Sequence, residues 1–283
     1  MKVSGFTIIR NGVLYAYPFK EAILSVLPLC DEFIVNVGKS DDKTLEMIKG
    51  VGDKKIKIFE SDWDMSIRDG GKVLSIETNK ALERCTGDWR FYIQSDEVLH
   101  EKYIPVVKSK MKLYLNDDEI EGLRFRYKHF YGNYNYYQDN YRKWYVKEVR
   151  VIKNNPDIVS MGDAMNFAHK NYQNVKAKDI NAEIFHYGWV RPPQNLLEKR
   201  INFEKLYHSD EKVNEIIDKI SIYDDLGHLK KFKGSHPKVM EDVIKNSNWD
   251  FDPKLEHQKP ELVRKLGVFL EPVTKRIKNK NKK

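Results

Sequence analysis

The alternation of segment types across the first hundred residues constrains this chain most. Val3 to Arg10 is an apolar strand, and Pro18 to Cys30 is a helix whose Phe19, Ile23, Val26, Leu27 and Cys30 share one face. Pro18 suits a first helical turn. Phe33 to Val37 forms a second strand, and Ser40 or Asp41 caps a helix that runs through Leu45 and Ile48 to a stop at Gly50. Ile56 to Phe59 is a third strand. A loop rich in Asp and Gly leads into a helix over Val73 to Cys85, and the fourth strand, Trp89 to Ile93, ends in Gln94-Ser95-Asp96-Glu97. Parallel strands need a crossover, which each helix supplies, so the pattern predicts an α/β fold with a mostly parallel central sheet flanked by helices. Ligands of such sheets bind beyond the carboxyl ends of the strands. The polar clusters lie there: Arg10-Asn11, Gly38 to Asp42, Asp62 to Gly71, and Gln94 to Glu97. A Gly-x-Gly-x-x-Gly turn does not follow the first strand, so a dinucleotide cofactor is not expected.

Composition narrows the partners. With 41% hydrophobic and 33% charged residues over 283 positions, the chain can bury a substantial core. The net charge of +8 raises nucleic acid as a partner, but six of the 50 basic residues fall in Lys275 to Lys283 with no acidic one, leaving 44 basic against 42 acidic elsewhere. A nucleic-acid partner is therefore not expected. The tail reads either as a solvated end or as a weak contact to an anionic membrane surface. Cys30 and Cys85 suit reduced thiols, which points to the cytoplasm. The apolar stretch Ala22 to Cys30 is far short of the roughly 20 residues a membrane-spanning helix needs, and no signal-peptide pattern opens the chain.

After Glu121 the texture changes. Gly122 to Gly132, Tyr141 to Lys153 and Glu183 to Val190 read as long strands, and Phe125 to Tyr145 holds ten of the 34 aromatic residues. The remainder reads as helical: Asn195 to His208, Lys212 to Ile220, Pro237 to Asn246 and Pro260 to about Lys278.

A strand ending in closely spaced carboxylates offers oxygen ligands to hard divalent cations, which a diphosphate can share. Asp96 and Glu97 read equally as helix caps. Ser4 to Asn11, the loop Val37 to Thr44, Asn79-Lys80-Ala81-Leu82, Gly87-Asp88-Trp89 and Gln94-Ser95-Asp96-Glu97 together resemble, in order and spacing, the N-terminal half of family 2-type glycosyltransferases with a GT-A fold. His186-Tyr187-Gly188 and Glu148-Val149-Arg150-Val151 are similar to the subset acting on lipopolysaccharide cores and surface glycans. The resemblance implies a GT-A catalytic domain over residues 1–193, with a nucleotide-binding half (1–101) and an acceptor half (102–193). A helical extension (194–274) and a basic tail (275–283) follow.

The resemblance further implies a nucleoside diphosphate sugar donor of UDP or GDP type, a glycan or glycolipid acceptor, and Mn²⁺ or Mg²⁺. Asp96 matches the last, metal-contacting position of the family's Asp-x-Asp motif. Gln94 replaces its first Asp, and can bind ribose or a ligand water but adds no charge. Gln94 and Ser95 are thus donor-site residues. A literal Asp-x-Asp at Asp62-Trp63-Asp64 follows the third strand and reads as loop carboxylates. Ile9 and Asn11 would line the base pocket, Asp41 or Asp42 would contact base or ribose, and Arg68, Gly71 and Lys72 would lie near the diphosphate. Asn79 would orient that loop, and Lys199 would touch the diphosphate. His186 would complete the metal shell, or else serve as a structural histidine.

An inverting transferase needs a base at the acceptor hydroxyl. By the resemblance this is Asp163, with Glu148 and Glu183 in reserve. Tyr134, Tyr136 and Trp144 are candidate acceptor contacts, because flat rings pack on sugar C–H faces; strand aromatics also fill cores. A sugar-phosphate nucleotidyltransferase and a non-catalytic glycan- or nucleic-acid-binding protein are the competing readings.

Overall fold

All seven residues of β1 (Val3–Ile9) and of β2 (Glu32–Gly38) are buried, because helices cover both faces of the sheet they share. The computed structural model describes residues 1–139, 144–217, 223 and 226–253. Its first half runs β1, α1 (Phe19–Val26), β2, α2 (Thr44–Lys49), β3 (Ile56–Ser61), α3 (Lys72–Leu82) and β4 (Trp89–Tyr92), matching the alternation in the sequence. The four strands pair in parallel in the spatial order β3-β2-β1-β4.

Alternate residues serve opposite faces. Val3, Ile9, Phe33, Val35, Val37, Trp89 and Phe91 pack with Ile23 and Val26 of α1, while Phe6, Ile8, Ile34 and Tyr92 pack with Ala81 and Leu82 of α3. Cys30 and Cys85 are buried free thiols, and burial pushes both up to about 12, so both stay protonated.

The second half extends the same sheet. In chain order it adds β5 (Glu97–Leu99), α4 (Ile104–Leu113), β6 (Gly122–Gln138), β7 (Lys147–Lys153), β8 (Ile158–Met161), β9 (Asn166–His169), β10 (Ala177–Val190), α5 (Pro193–Glu204), α6 (Asp210–Ile217), β11 (Leu229–Lys231) and α7 (Glu241–Lys245). The sheet continues from β4 through β7, β6 and β10 to β5, with β11 on β6. Parallel pairing holds among the first four strands and between β6 and β10; β4–β7, β7–β6, β10–β5 and β11–β6 are antiparallel.

β8 and β9 form a separate hairpin against α3. Asn79 ties it there, donating to Ser160 O at 3.0 Å and accepting from Ser160 N at 2.8 Å. This hairpin and β5 were not expected from the sequence: both are short, and β5 begins at the last residue of a tetrapeptide whose Asp96 and Glu97 read as helix caps. The chain after residue 193 is likewise not helical throughout. β7 pairs with β6 only as far as Arg126, and β11 fills the exposed edge at Tyr136–Gln138. The expected helix over Pro260 to Lys278, the basic tail, and parts of the segments Tyr141–Lys153 and Lys212–Ile220 lie outside the described residues. No helix among the described residues is long and apolar enough to cross a membrane.

His236 fastens the C-terminal segment. It lies 2.8 Å from the Tyr187 hydroxyl and 2.9 Å from Tyr134 O, and burial lowers its pKa from the ordinary 6.5 to about 4. Between these values the unfolded chain takes up a proton that the folded chain refuses. The His236 contribution is therefore complete above pH 6.5 and lost as pH falls towards 4, a change of roughly 3 kcal/mol at full titration. We expect the melting temperature to drop through this window and to drop less steeply in His236→Gln. Equal slopes would mean that another group sets the acid limb.

Candidate active site

The turn after β4 is shaped by a buried ion pair. Glu97 and Arg150 are both fully buried, and the guanidinium donates to both carboxylate oxygens, at 2.9 and 2.8 Å. Tyr127 donates its hydroxyl to Glu97 at 2.7 Å, and Gln94 N donates at 3.1 Å. Every lone pair of an anion in the core must be satisfied, and these four bonds do so. Glu97 is thus consumed in holding the turn and starts β5 rather than capping a helix. Asp96, its neighbour, is turned into a cavity.

Asp96 meets three cations or potential cations. Lys199 Nζ of α5 lies 3.3 Å and His186 Nε2 of β10 lies 3.7 Å from Asp96 Oδ2. Gly188 makes this convergence possible: a Cβ there would overlap the His186 ring and lie 2.9 Å from Asp96 Oδ2. Its carbonyl accepts from Lys199 Nζ and from the buried Arg191, each at 2.8 Å. Burial opposes ionisation of Asp96, but Lys199, His186 and Arg191 outweigh it, holding the carboxyl well below the usual range. Lys199 is lowered to about 8, chiefly by burial, then by Arg191, with Asp96 opposing.

A second histidine sets the tautomer of the first. His129 Nε2 faces Tyr145 O at 2.7 Å, and a carbonyl only accepts, so this nitrogen carries the proton. Burial, reinforced by His186, lowers His129 to about 3, so it is neutral and its Nδ1 is an acceptor. His186 Nδ1, 2.9 Å away, must then donate. In neutral His186 the lone pair is consequently on Nε2, aimed towards Asp96. Ligand distances near 2.1 Å put two donors of one ion about 3.0 to 4.2 Å apart, so the 3.7 Å separation suits a divalent cation. Among the described residues no third His, Cys, Asp or Glu joins them. The remaining positions would fall to water and diphosphate oxygens.

The cavity around this cluster has a volume of about 960 Å³. Of the residues expected from the sequence, it brings together Ile9, Gln94, Ser95, Asp96, Asp163, His186, Lys199 and Trp144. Asn11, Asp41, Asp42, Arg68, Gly71, Lys72, Asn79, Glu148, Tyr134 and Tyr136 do not line it. Asn11 and Asp41 bond each other beside Arg10, which does line it. Asp42 accepts from Leu14 N and Thr44 N, closing the 11–14 loop over the start of α2. Arg68 pairs with Asp210 at 2.6 Å, and Lys72 is exposed. Gly71, at φ +71°, packs under Asp163, where a Cβ would come within 2.8 Å of the Asp163 Cβ. In the literal Asp-x-Asp segment, Asp62 and Asp64 are exposed, whereas Trp63 and Met65 line the cavity.

Strand periodicity separates the aromatic residues. In β6, His129 on His186 and Tyr131 in the cavity wall are two residues apart and share the face towards the site. Tyr134 packs away from the site with Phe130, Tyr187 and Met240, and beyond Gly132, at φ +73°, Tyr137 packs against the same cluster. Tyr136 meets Phe251 edge to face, with ring centroids 6.0 Å apart. The cavity's unexpected lining residues include Tyr15, Tyr17, Tyr145, Trp189 and Arg200. Counting by two from His129 finds Tyr131, but the loop residues carry no such signal.

No protein-family model matches the chain, and no curated protein matches it in sequence. Several solved structures resemble it. Against TarS of S. aureus the TM-score is 0.44 at 15% identity, covering 77% of this chain and 42% of that chain. The 1–349 form of TarS in complex with UDP gives 0.41 at 15% identity, with 77% and 70% covered. Glucosyl-3-phosphoglycerate synthase from Mycobacterium tuberculosis, in complex with Mn²⁺, UDP and phosphoglyceric acid, gives 0.32 at 21% identity, with 46% and 43% covered. The chain thus spans less than half the length of the full TarS chain and of the synthase.

Proposed function

We propose that this chain is a GT-A glycosyltransferase that moves a sugar from a nucleoside diphosphate sugar, of UDP or GDP type, to a hydroxyl of a glycan or glycolipid. The observation that carries the reading is Asp96, an almost fully buried carboxylate beyond the end of β4, joined by His186 and Lys199 in one cavity. That cavity has the size of a small-ligand site and the position α/β sheets use for nucleotides. In this reading residues 1–193 are the catalytic domain, and the segment that follows supplies Lys199 and Tyr207 to its site.

Asp96 and His186 would hold Mn²⁺ or Mg²⁺. When bound, the ion offsets charge on the departing diphosphate. Lys199 shares an oxygen of Asp96 and has the reach to turn onto the diphosphate as a second counter-charge. Asp163 would accept the acceptor proton as that oxygen bonds the anomeric carbon and the bond to diphosphate breaks. Tyr207 donates to Asp163 Oδ2 at 3.0 Å and orients it. Glu148, the reserve base of the sequence reading, is raised by burial but does not line the cavity. Trp144, with Trp189 at 5.6 Å, offers rings to a sugar face. A peripheral membrane contact through the basic tail fits a lipid-linked acceptor.

Calorimetry tests the reading. UDP or GDP should bind with heat that depends on Mn²⁺. Salt-sensitive binding to oligonucleotides, with silence towards nucleotides, would overturn it in favour of nucleic-acid binding.

A further inference from the structure

We propose that Gln94 positions Asp163, and that this is why an amide occupies the place where the resemblance leads one to expect a carboxylate. The inference rests on the reading of Asp163 as the base. Gln94 Nε2 donates to Ala164 O at 3.2 Å. Ala164 is buried and sits at φ +61°, with Gly162 at φ +56°, so Asp163 lies between two left-handed residues in the β8–β9 turn. A non-glycine residue in that region is strained and persists only where its surroundings hold it. Inside the turn, Met165 N donates to Asp163 Oδ1 at 3.3 Å. From outside, Gln94 grips the carbonyl that follows Asp163.

An aspartate at 94 could not donate to Ala164 O, is one methylene shorter, and would add a carboxylate to a turn already holding Asp96 and Glu97. Gln94 stands two residues before Asp96. It therefore ties the turn that carries the diphosphate-side carboxylate to the turn that carries the base, and sets the distance between them.

The test uses the whole protein with Mn²⁺ and whichever of UDP-glucose, UDP-N-acetylglucosamine and GDP-mannose it hydrolyses fastest, water serving as acceptor. In Gln94→Ala and Gln94→Asp, kcat should fall at least about tenfold, with KM for the donor and the calorimetric Kd of the nucleoside diphosphate within about threefold of wild type. The retained nucleotide affinity shows that the cavity is still folded. Wild-type kcat in Gln94→Ala would overturn the inference. So would nucleotide affinity weakened tenfold by Gln94→Ala or strengthened by Gln94→Asp, either of which makes residue 94 a donor contact. Asp163→Asn runs alongside: if it keeps the wild-type rate, the assignment of the base has failed; if it loses the rate while Gln94→Ala does not, only the positioning role has failed.

Discussion

Asp96→Asn should lower both sugar transfer and donor hydrolysis by about 10²-fold to 10³-fold, the usual cost of removing one preorganised electrostatic group. The substitution keeps the shape of the side chain and removes the carboxylate that faces Lys199, His186 and Arg191. Two effects act together. The divalent cation loses its charged ligand, so the Mn²⁺-dependent part of nucleotide binding should vanish from calorimetry. Lys199 loses the one partner that opposes its lowered pKa, so it should titrate below its present value of about 8 and supply less charge at neutral pH. An Asp96→Asn protein with wild-type turnover and unchanged Mn²⁺ response would remove Asp96 from the metal site.

Arg150→Met should be the most damaging change outside the cavity. It leaves Glu97 as an unpaired anion in a fully buried position and strips donors from Val149 O and Met165 O. Breaking a buried pair in this way costs about 3 to 5 kcal/mol, a fall in melting temperature on the order of 10 °C for a domain of this size. Adding Glu97→Gln should recover part of that loss, because the double variant buries no charge. If the double variant is less stable than Arg150→Met alone, the pair is not coupled as described. Arg150→Met should also loosen the Gln94–Glu97 turn, so activity should fall before the fold is lost.

Much of the first half was legible because its signals are local. The apolar runs of β1, β2 and β4 are buried on both faces, and short runs bounded by polar turns indicate such strands whatever surrounds them. Asp96 stood out for the same reason: it terminates one of these runs. β5 and the β8–β9 hairpin were not legible, since three- and four-residue strands carry no periodicity and exist only through the strands or helix they meet. The aromatic cluster was visible as a cluster, yet Tyr134 packs away from the cavity and Tyr136 does not line it. Only the pairing that puts His129 against His186 shows which residues of β6 face the site.

The sequence by itself determined the alternating α/β plan and the position of a carboxylate at the mouth of the sheet, because hydrophobic period and strand termini are properties of neighbouring residues. Tertiary structure alone decided what that carboxylate meets. Lys199, His186, Arg191 and Gly188 converge on Asp96 from about 90 to 103 positions away, and Gln94 reaches a carbonyl 70 positions downstream. Contacts between such distant residues follow from strand order and from which face each side chain takes, and neither is written in any local stretch of chain.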